Sequence, residues 1–154
     1  ICSSISTPEN TVVAANYNCP GQLVISGSID AINTACEKMK EAGAKRALPL
    51  PVSGAFHSPL MQPAKDELQA AIESVTFKTP RIPVYQNVDA LAHTDAEEIK
   101  KNLVAQLTGA VRWTATITNM VANGANDFTE CGPGKALQGM IGRIDKTVAA
   151  HGVE

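Results

Sequence analysis

The chain has 154 residues, 44% hydrophobic and 18% charged, with a formal net charge of -2. Such a composition builds a globular body with one sizeable core or two small ones, excludes a disordered or fibrous chain, and leaves no broad basic field for nucleic acid. No apolar run approaches the roughly 20 residues of a membrane span, and Cys2, Cys19, Cys36 and Cys131, spread with no CxxC pair, suit a reducing cytoplasm.

Residues 1–6 read as the tail of an earlier element, set off by the turn Thr7-Pro8-Glu9-Asn10. A β-prone run at 11–15 and another at 23–26 flank the turn formers of 16–22, so a hairpin is the simplest connection. Ser28 offers an N-cap. Over residues 30–42, Ile32, Ala35, Cys36 and Met39 recur at helical spacing, and Gly43 stands where a left-handed C-terminal residue is usual. Residues 47–50 read as a third strand, and strand, strand, helix, strand is the last two thirds of a split βαβ-βαβ sandwich.

Past His57 helices and strands alternate, which favours a sheet covered by helices. Leu68, Ala71, Ile72 and Val75 mark one helix face, and residues 82–88 read as a strand with Pro83 near its start. Thr94-Asp95-Ala96-Glu97 has the form of a capping box before a helix carrying Ile99, Leu103 and Leu107. A further helix covers about 113–123 and ends at Gly124, residues 127–131 are a short strand, and Gly132-Pro133-Gly134 opens a last helix with Leu137, Ile141 and Ile144 inward. After Lys146 the pattern is weak.

The stretch around His57 holds the best candidate for chemistry. It leaves an apolar run, passes through Ser53-Gly54-Ala55, and presents one imidazole just before Ser58-Pro59, a helix-entry signal. An imidazole in a strand-to-helix loop can serve as general acid or base; it can equally be a capping or surface residue. A serine nucleophile on an α/β scaffold is usually written G-x-S-x-G, a pattern these 154 residues do not contain, so Ser26, Ser28, Ser53 and Ser58 read as structural. Gly132-Pro133-Gly134 could cradle an anion, though such a turn is more often only a turn. His93 and His151 lack acidic or cysteine company at ligand spacing, so no metal site is expected.

Four segments together resemble the malonyl-CoA:acyl carrier protein transacylases of fatty-acid synthesis: NYNCPGQLVISG (16–27), AKRALPLPVS (44–53), GAFHSPLM (54–61) and ECGPGK (130–135). Their order and spacing match that family from about Thr11 to Ile144. The resemblance implies an α/β fold: an α/β-hydrolase-like acyltransferase core, of which residues 53–154 are the C-terminal part, interrupted by a ferredoxin-like small subdomain at 1–52 lacking its first strand and most of its first helix. It implies that His57 is the base that deprotonates a serine nucleophile and returns the proton to the departing thiol. Gln106 matches the residue whose main-chain carbonyl orients that ring, Phe56 the bulky position that accompanies choice of malonyl over branched units, and Asn16 and Asn18 lie in the loop facing the cleft.

Malonyl-CoA is then a substrate, acyl carrier protein the partner, and no cofactor, nucleic acid or membrane is called for. The family's Gly-His-Ser elbow, carboxylate-clamping arginine and oxyanion-hole glutamine fall upstream of Ile1, so the chain is expected to be the C-terminal half of an enzyme, inactive alone. The other reading is a catalytically silent fragment or a carrier-protein-binding module. Carrier proteins of that pathway are acidic, which makes Lys45-Arg46 the candidate docking pair, with an ordinary solvated turn as the alternative.

Overall fold

The computed structural model describes residues 1–153, a mixed α/β arrangement of six helices and six short strands among those residues. A single turn, α1 (Cys2–Ile5), precedes the antiparallel hairpin of β1 (Val12–Cys19) and β2 (Gln22–Gly27). The first strand runs four residues further than the turn formers suggested. Asn16, Tyr17 and Cys19 pair with β2, and only Pro20-Gly21 makes the turn. Two register shifts leave Ala15 and Asn18 outside the β1–β2 ladder, and such bulges bend a strand and re-aim its side chains. At the open end, away from the Pro20-Gly21 turn, β1 and β2 approach so tightly that a Cβ on Gly27 would collide with the Thr11 carbonyl.

α2 (Ile29–Glu41) lies on this hairpin as its spacing predicts. Its buried residues Ala31, Ala35 and Cys36 are small, so the helix sits close, with Val12 at the centre and Ile5, Ile25, Ile32 and Met39 around it. A larger residue such as Leu at Ala35 would overpack this contact at about 1–3 kcal/mol. The helix stops at a Schellman motif: Gly43 is left-handed (φ +91°), its N–H donates to Lys40, and Ala44 N–H donates to Met39.

Residues 47–50 form no strand. Pro49 and Pro51 have no N–H to donate, and Leu48, Leu50 and Val52 are 53%, 55% and 65% exposed along an extended connection. A 3-10 turn (Pro59–Met61) then leads into α3 (Gln62–Glu73). The strand expected over 82–88 is only β3 (Val84–Tyr85), paired with β4 (Ala92–His93) in a short hairpin that the sequence did not announce. α4 (Ala96–Gln106) starts one residue later than the Thr94 capping box implied: Asp95 is the N-cap and accepts from Glu98 N at 2.8 Å.

α5 (Trp113–Ala122), β5 (Asp127–Cys131) and α6 (Ala136–Ile144) follow as read. The tail beyond Lys146 holds a strand after all, β6 (Ala149–Val153), parallel to β5 with α6 as the crossover. β1 binds these later elements. Val111 N donates to Ala15 O and Tyr17 N to Val111 O, both at 2.8 Å. Thr114 Oγ1 donates to Tyr17 O at 3.0 Å, and Arg143 reaches the carbonyl of Pro20 at 2.9 Å.

Candidate active site

His57 stands on a loop held shut by its own neighbour. Ser58 is fully buried; its hydroxyl donates to Ala55 O at 2.6 Å and accepts from Leu60 N at 3.3 Å as the N-cap of the 3-10 turn, with Pro59 in the first turn. This is the structural role expected of Ser58. His57 itself has φ +59°, a left-handed backbone that costs a residue with a Cβ on the order of 1–2 kcal/mol. Strain of this kind persists where the surroundings over-determine it.

The half-buried ring lies with Nδ1 3.1 Å from the main-chain carbonyl of Gln106. A carbonyl only accepts, so Nδ1 carries the proton and the neutral ring leaves its Nε2 lone pair free. Gln106 is the last residue of α4, so its carbonyl has no intrahelical partner; it accepts from Gly109 N at 3.2 Å and keeps a second lone pair for the ring. The Gln106 side chain turns the other way: Nε2 donates to Gly109 O at 2.9 Å and Ala110 O at 3.3 Å, folding the chain back after the helix. No carboxylate bonds His57 among the described residues.

The other predicted residues are distributed around this pair. Asn16 is bridged in parallel fashion to Val111, five residues beyond Gln106, which brings β1 beside the loop that follows the accepting carbonyl. Asn18 is the unpaired residue of the second bulge, two positions on. Phe56 is 47% exposed with its ring against Gly54, so it is no core residue. Lys45 and Arg46 are exposed just past α2, with no ion pair among the described residues and no recorded bond to His57 or Gln106. An apolar cleft of about 270 Å³ between Tyr85, Trp113, Phe128 and Leu137 contains neither His57 nor Gln106. It is the hydrogen bond, not a cavity, that locates this site.

Two other sequence candidates resolve differently. The Gly132-Pro133-Gly134 turn does lead to a helix N-terminus, but the Glu130 carboxylate already occupies it, accepting from Leu137 N at 3.1 Å and Gln138 N at 3.2 Å. Those donors, Leu137 first, hold Glu130 below the ordinary carboxylate pKa, so the turn is capped from within rather than open to an external anion. His93 does have acidic company. Folding brings Asp89 and Glu98 against it, a cluster that nothing in the local spacing announces. Among the described residues no group of three or more His, Cys, Asp or Glu side chains is disposed to hold a metal ion.

The chain is similar to known proteins along nearly its whole length. The malonyl CoA-acyl carrier protein transacylase of Bacillus subtilis (strain 168) is 41% identical over 157 residues, covering all of this chain and 50% of that protein. Among solved structures, an acyl carrier protein S-malonyltransferase from Vibrio cholerae O1 superposes with a TM-score of 0.95 at 46% identity, over 99% of this chain and 50% of that one. A malonyl-transacylase solved in complex with its type II PKS acyl-carrier protein gives a TM-score of 0.93 at 41% identity, over 99% and 49%. The chain thus spans about half the length of the curated relatives it matches. Residues 3–150 match the acyl transferase domain, and the chain belongs to that family.

Proposed function

We propose that this chain supplies the basic half of a malonyl-CoA:acyl carrier protein transacylase, which moves a malonyl group from malonyl-CoA to a phosphopantetheine thiol through an acyl-serine. The observation that carries the reading is the bond from His57 Nδ1 to the Gln106 carbonyl. It leaves Nε2 as the proton acceptor. As the serine oxygen attacks the thioester carbon, its proton passes to Nε2; the coenzyme A sulfur departs and takes that proton. In the second half-reaction the carrier thiol gives its proton to Nε2 and attacks the acyl ester, and the serine oxygen leaves with the proton restored. Gln106 remains neutral throughout; its carbonyl fixes the ring's tautomer and direction, the task an acidic residue performs in other triads.

In this reading residues 1–52 belong to a ferredoxin-like small subdomain and 53–154 to an α/β-hydrolase-like core. Phe56 narrows the acyl pocket, Asn16 and Asn18 face the substrate, and Lys45 and Arg46 receive the acidic carrier. The serine, the arginine for the malonyl carboxylate and the oxyanion donors come from a nucleophile-bearing half outside residues 1–154. Malonyl-CoA enters as substrate, no cofactor takes part, and the four free cysteines suit a reducing cytoplasm.

The absence of a G-x-S-x-G pattern from these residues favours one competing reading, a silent fragment or carrier-binding module. Radiolabelled malonyl-CoA and carrier protein separate the two. The chain alone should transfer nothing, and adding a polypeptide that carries the Gly-His-Ser elbow should restore transfer. Failure of the mixed, co-purified halves to turn over would refute the transferase reading.

A further inference from the structure

The buried polar groups that the transfer chemistry leaves unused meet in one place, between the β3–β4 hairpin and α4. His93 is only 6% exposed, with Nε2 2.7 Å from Asp89 Oδ2 and Nδ1 3.0 Å from Glu98 Oε2. Ionised carboxylates only accept, so their place beside both ring nitrogens favours the doubly protonated imidazolium; the Asn102 amide nitrogen also lies 3.2 Å from Nε2. Burial opposes that charge, yet the hydrogen bonds to Glu98 and Asp89 outweigh it and hold the His93 pKa above its ordinary value. Asp89 comes from the turn after β3 and Glu98 from the first turn of α4; Lys100, also on α4, points away to the Glu73 carbonyl.

The cluster continues along the helix. Asn102 Nδ2 donates to Asp89 Oδ2 at 3.0 Å and to Gln86 Oε1 at 3.1 Å, and buried Gln86 donates in turn to the Ile99 carbonyl at 3.0 Å. Beyond the helix, Arg112 N donates to Asn87 O at 2.9 Å. The hairpin therefore grips α4 at Glu98, Ile99 and Asn102 and catches the chain again at Arg112. Gln106 lies between these anchors, one helical turn past Asn102.

We propose that His93 and Asn102 are positioning residues for His57: by locking α4 to the hairpin they hold the Gln106 carbonyl within reach of His57 Nδ1. The catalytic meaning of this latch rests on the reading of His57 as base, whereas its geometric content does not. A helix free to slide or rotate by 1 Å would lengthen the single bond that orients the ring, and misplacement of that size is worth up to ~10²-fold in rate.

Two-bond 1H–15N spectra of the labelled chain report the tautomer of each histidine ring. The latch predicts that neutral His57 is the Nδ1–H tautomer in the parent, that His93→Leu shifts it toward the Nε2–H form, and that His93→Gln keeps Nδ1–H, because the amide retains two donors for Asp89 and Glu98. Asn102→Ala, which keeps the His93 ring and both carboxylates and removes only the amide that lies 3.2 Å from His93 Nε2, should shift His57 in the same direction and serves if His93→Leu does not fold. In the reunited enzyme the shifted variants should lose ~10-fold or more in kcat with KM for malonyl-CoA unchanged. A His57 ring that ignores both folded variants overturns the latch. A ring that moves while transfer is undiminished upholds the latch and overturns instead the assignment of His57 as base.

Discussion

His57 and His93 are the same side chain in opposite surroundings. His57 sits on a strained loop, half-buried, with one neutral partner, the Gln106 carbonyl. His93 is buried between two carboxylates. A neutral acceptor orients a ring without committing it to a charge, so the ring can take and return a proton. Two anions favour the charged form, in which the lone pair a base needs is taken up by a proton. The charge of the partner, more than burial, separates a ring that can turn over from one that can only hold.

Removing each ring is the strongest way to break this contrast. In the reunited enzyme His57→Ala should cost malonyl transfer about 10²–10⁴-fold while leaving the unfolding midpoint nearly unchanged, as read by radiolabel transfer and thermal melts. The mirror result is expected at the second ring. His93→Leu leaves Asp89 and Glu98 without their cation and should cost about 1–3 kcal/mol of stability in urea unfolding, less than a fully buried pair because Glu98 is 55% exposed and water screens it.

The pH dependence sharpens the same contrast. Because the His93 pKa is raised, the cluster's stabilisation is complete below the unfolded value near 6.5 and is lost as pH climbs through the higher folded value. Asp89 is the opposite case. Burial would raise its pKa, but hydrogen bonds from Leu91 N and His93 outweigh that and lower it, so its contribution is complete above about 3.8 and is lost as pH falls. Urea midpoints should form a plateau between about pH 4 and 6.5, with the alkaline shoulder missing in His93→Gln. A shoulder that survives the substitution would assign the titration elsewhere.

Smaller effects are expected around His57. With Phe56 exposed against Gly54, Phe56→Ser should remove little stability and raise methylmalonyl transfer relative to malonyl, by no more than the ~1–3 kcal/mol that one methyl group is worth in a pocket. Smallest is the charge reversal of Lys45 and Arg46 to Glu, which should weaken use of carrier protein several-fold at low salt and less at high salt, with self-acylation by malonyl-CoA unchanged. Stopped-flow traces at two ionic strengths read this; carrier use equal to the parent's at low salt would remove the pair from the docking face.

How much of this could be read in advance follows from where each signal resides. α2 was legible because its buried stripe, N-terminal Ser28 and left-handed Gly43 are all local. β6 was not, because Ala149-Ala150-His151-Gly152-Val153 has no β-prone pattern of its own and becomes a strand by pairing with β5. The reverse error at 47–50 has a local cause in Pro49 and Pro51. The His57–Gln106 bond joins residues 49 apart, and only likeness to a family put the two names together. For His93 no such help existed: Asp89 and Glu98 are near in sequence, but which carboxylates meet the ring is decided by the β3–β4 turn.

The attachment of β1 to Val111, Thr114 and Arg143 also has a consequence in time. The hairpin can close within microseconds of its synthesis, yet the hydroxyl that caps Tyr17 is 97 residues later in the chain, and the arginine that clasps Pro20 is 123 residues later. At ribosomal speeds of ~5–20 residues per second, those fasteners arrive roughly 5 to 25 s after the strand they secure. During that interval the outer edge of β1, Asn16 included, is an unpaired strand open to any neighbour, and a nascent chain that stalls before Val111 exposes it for as long as the stall lasts.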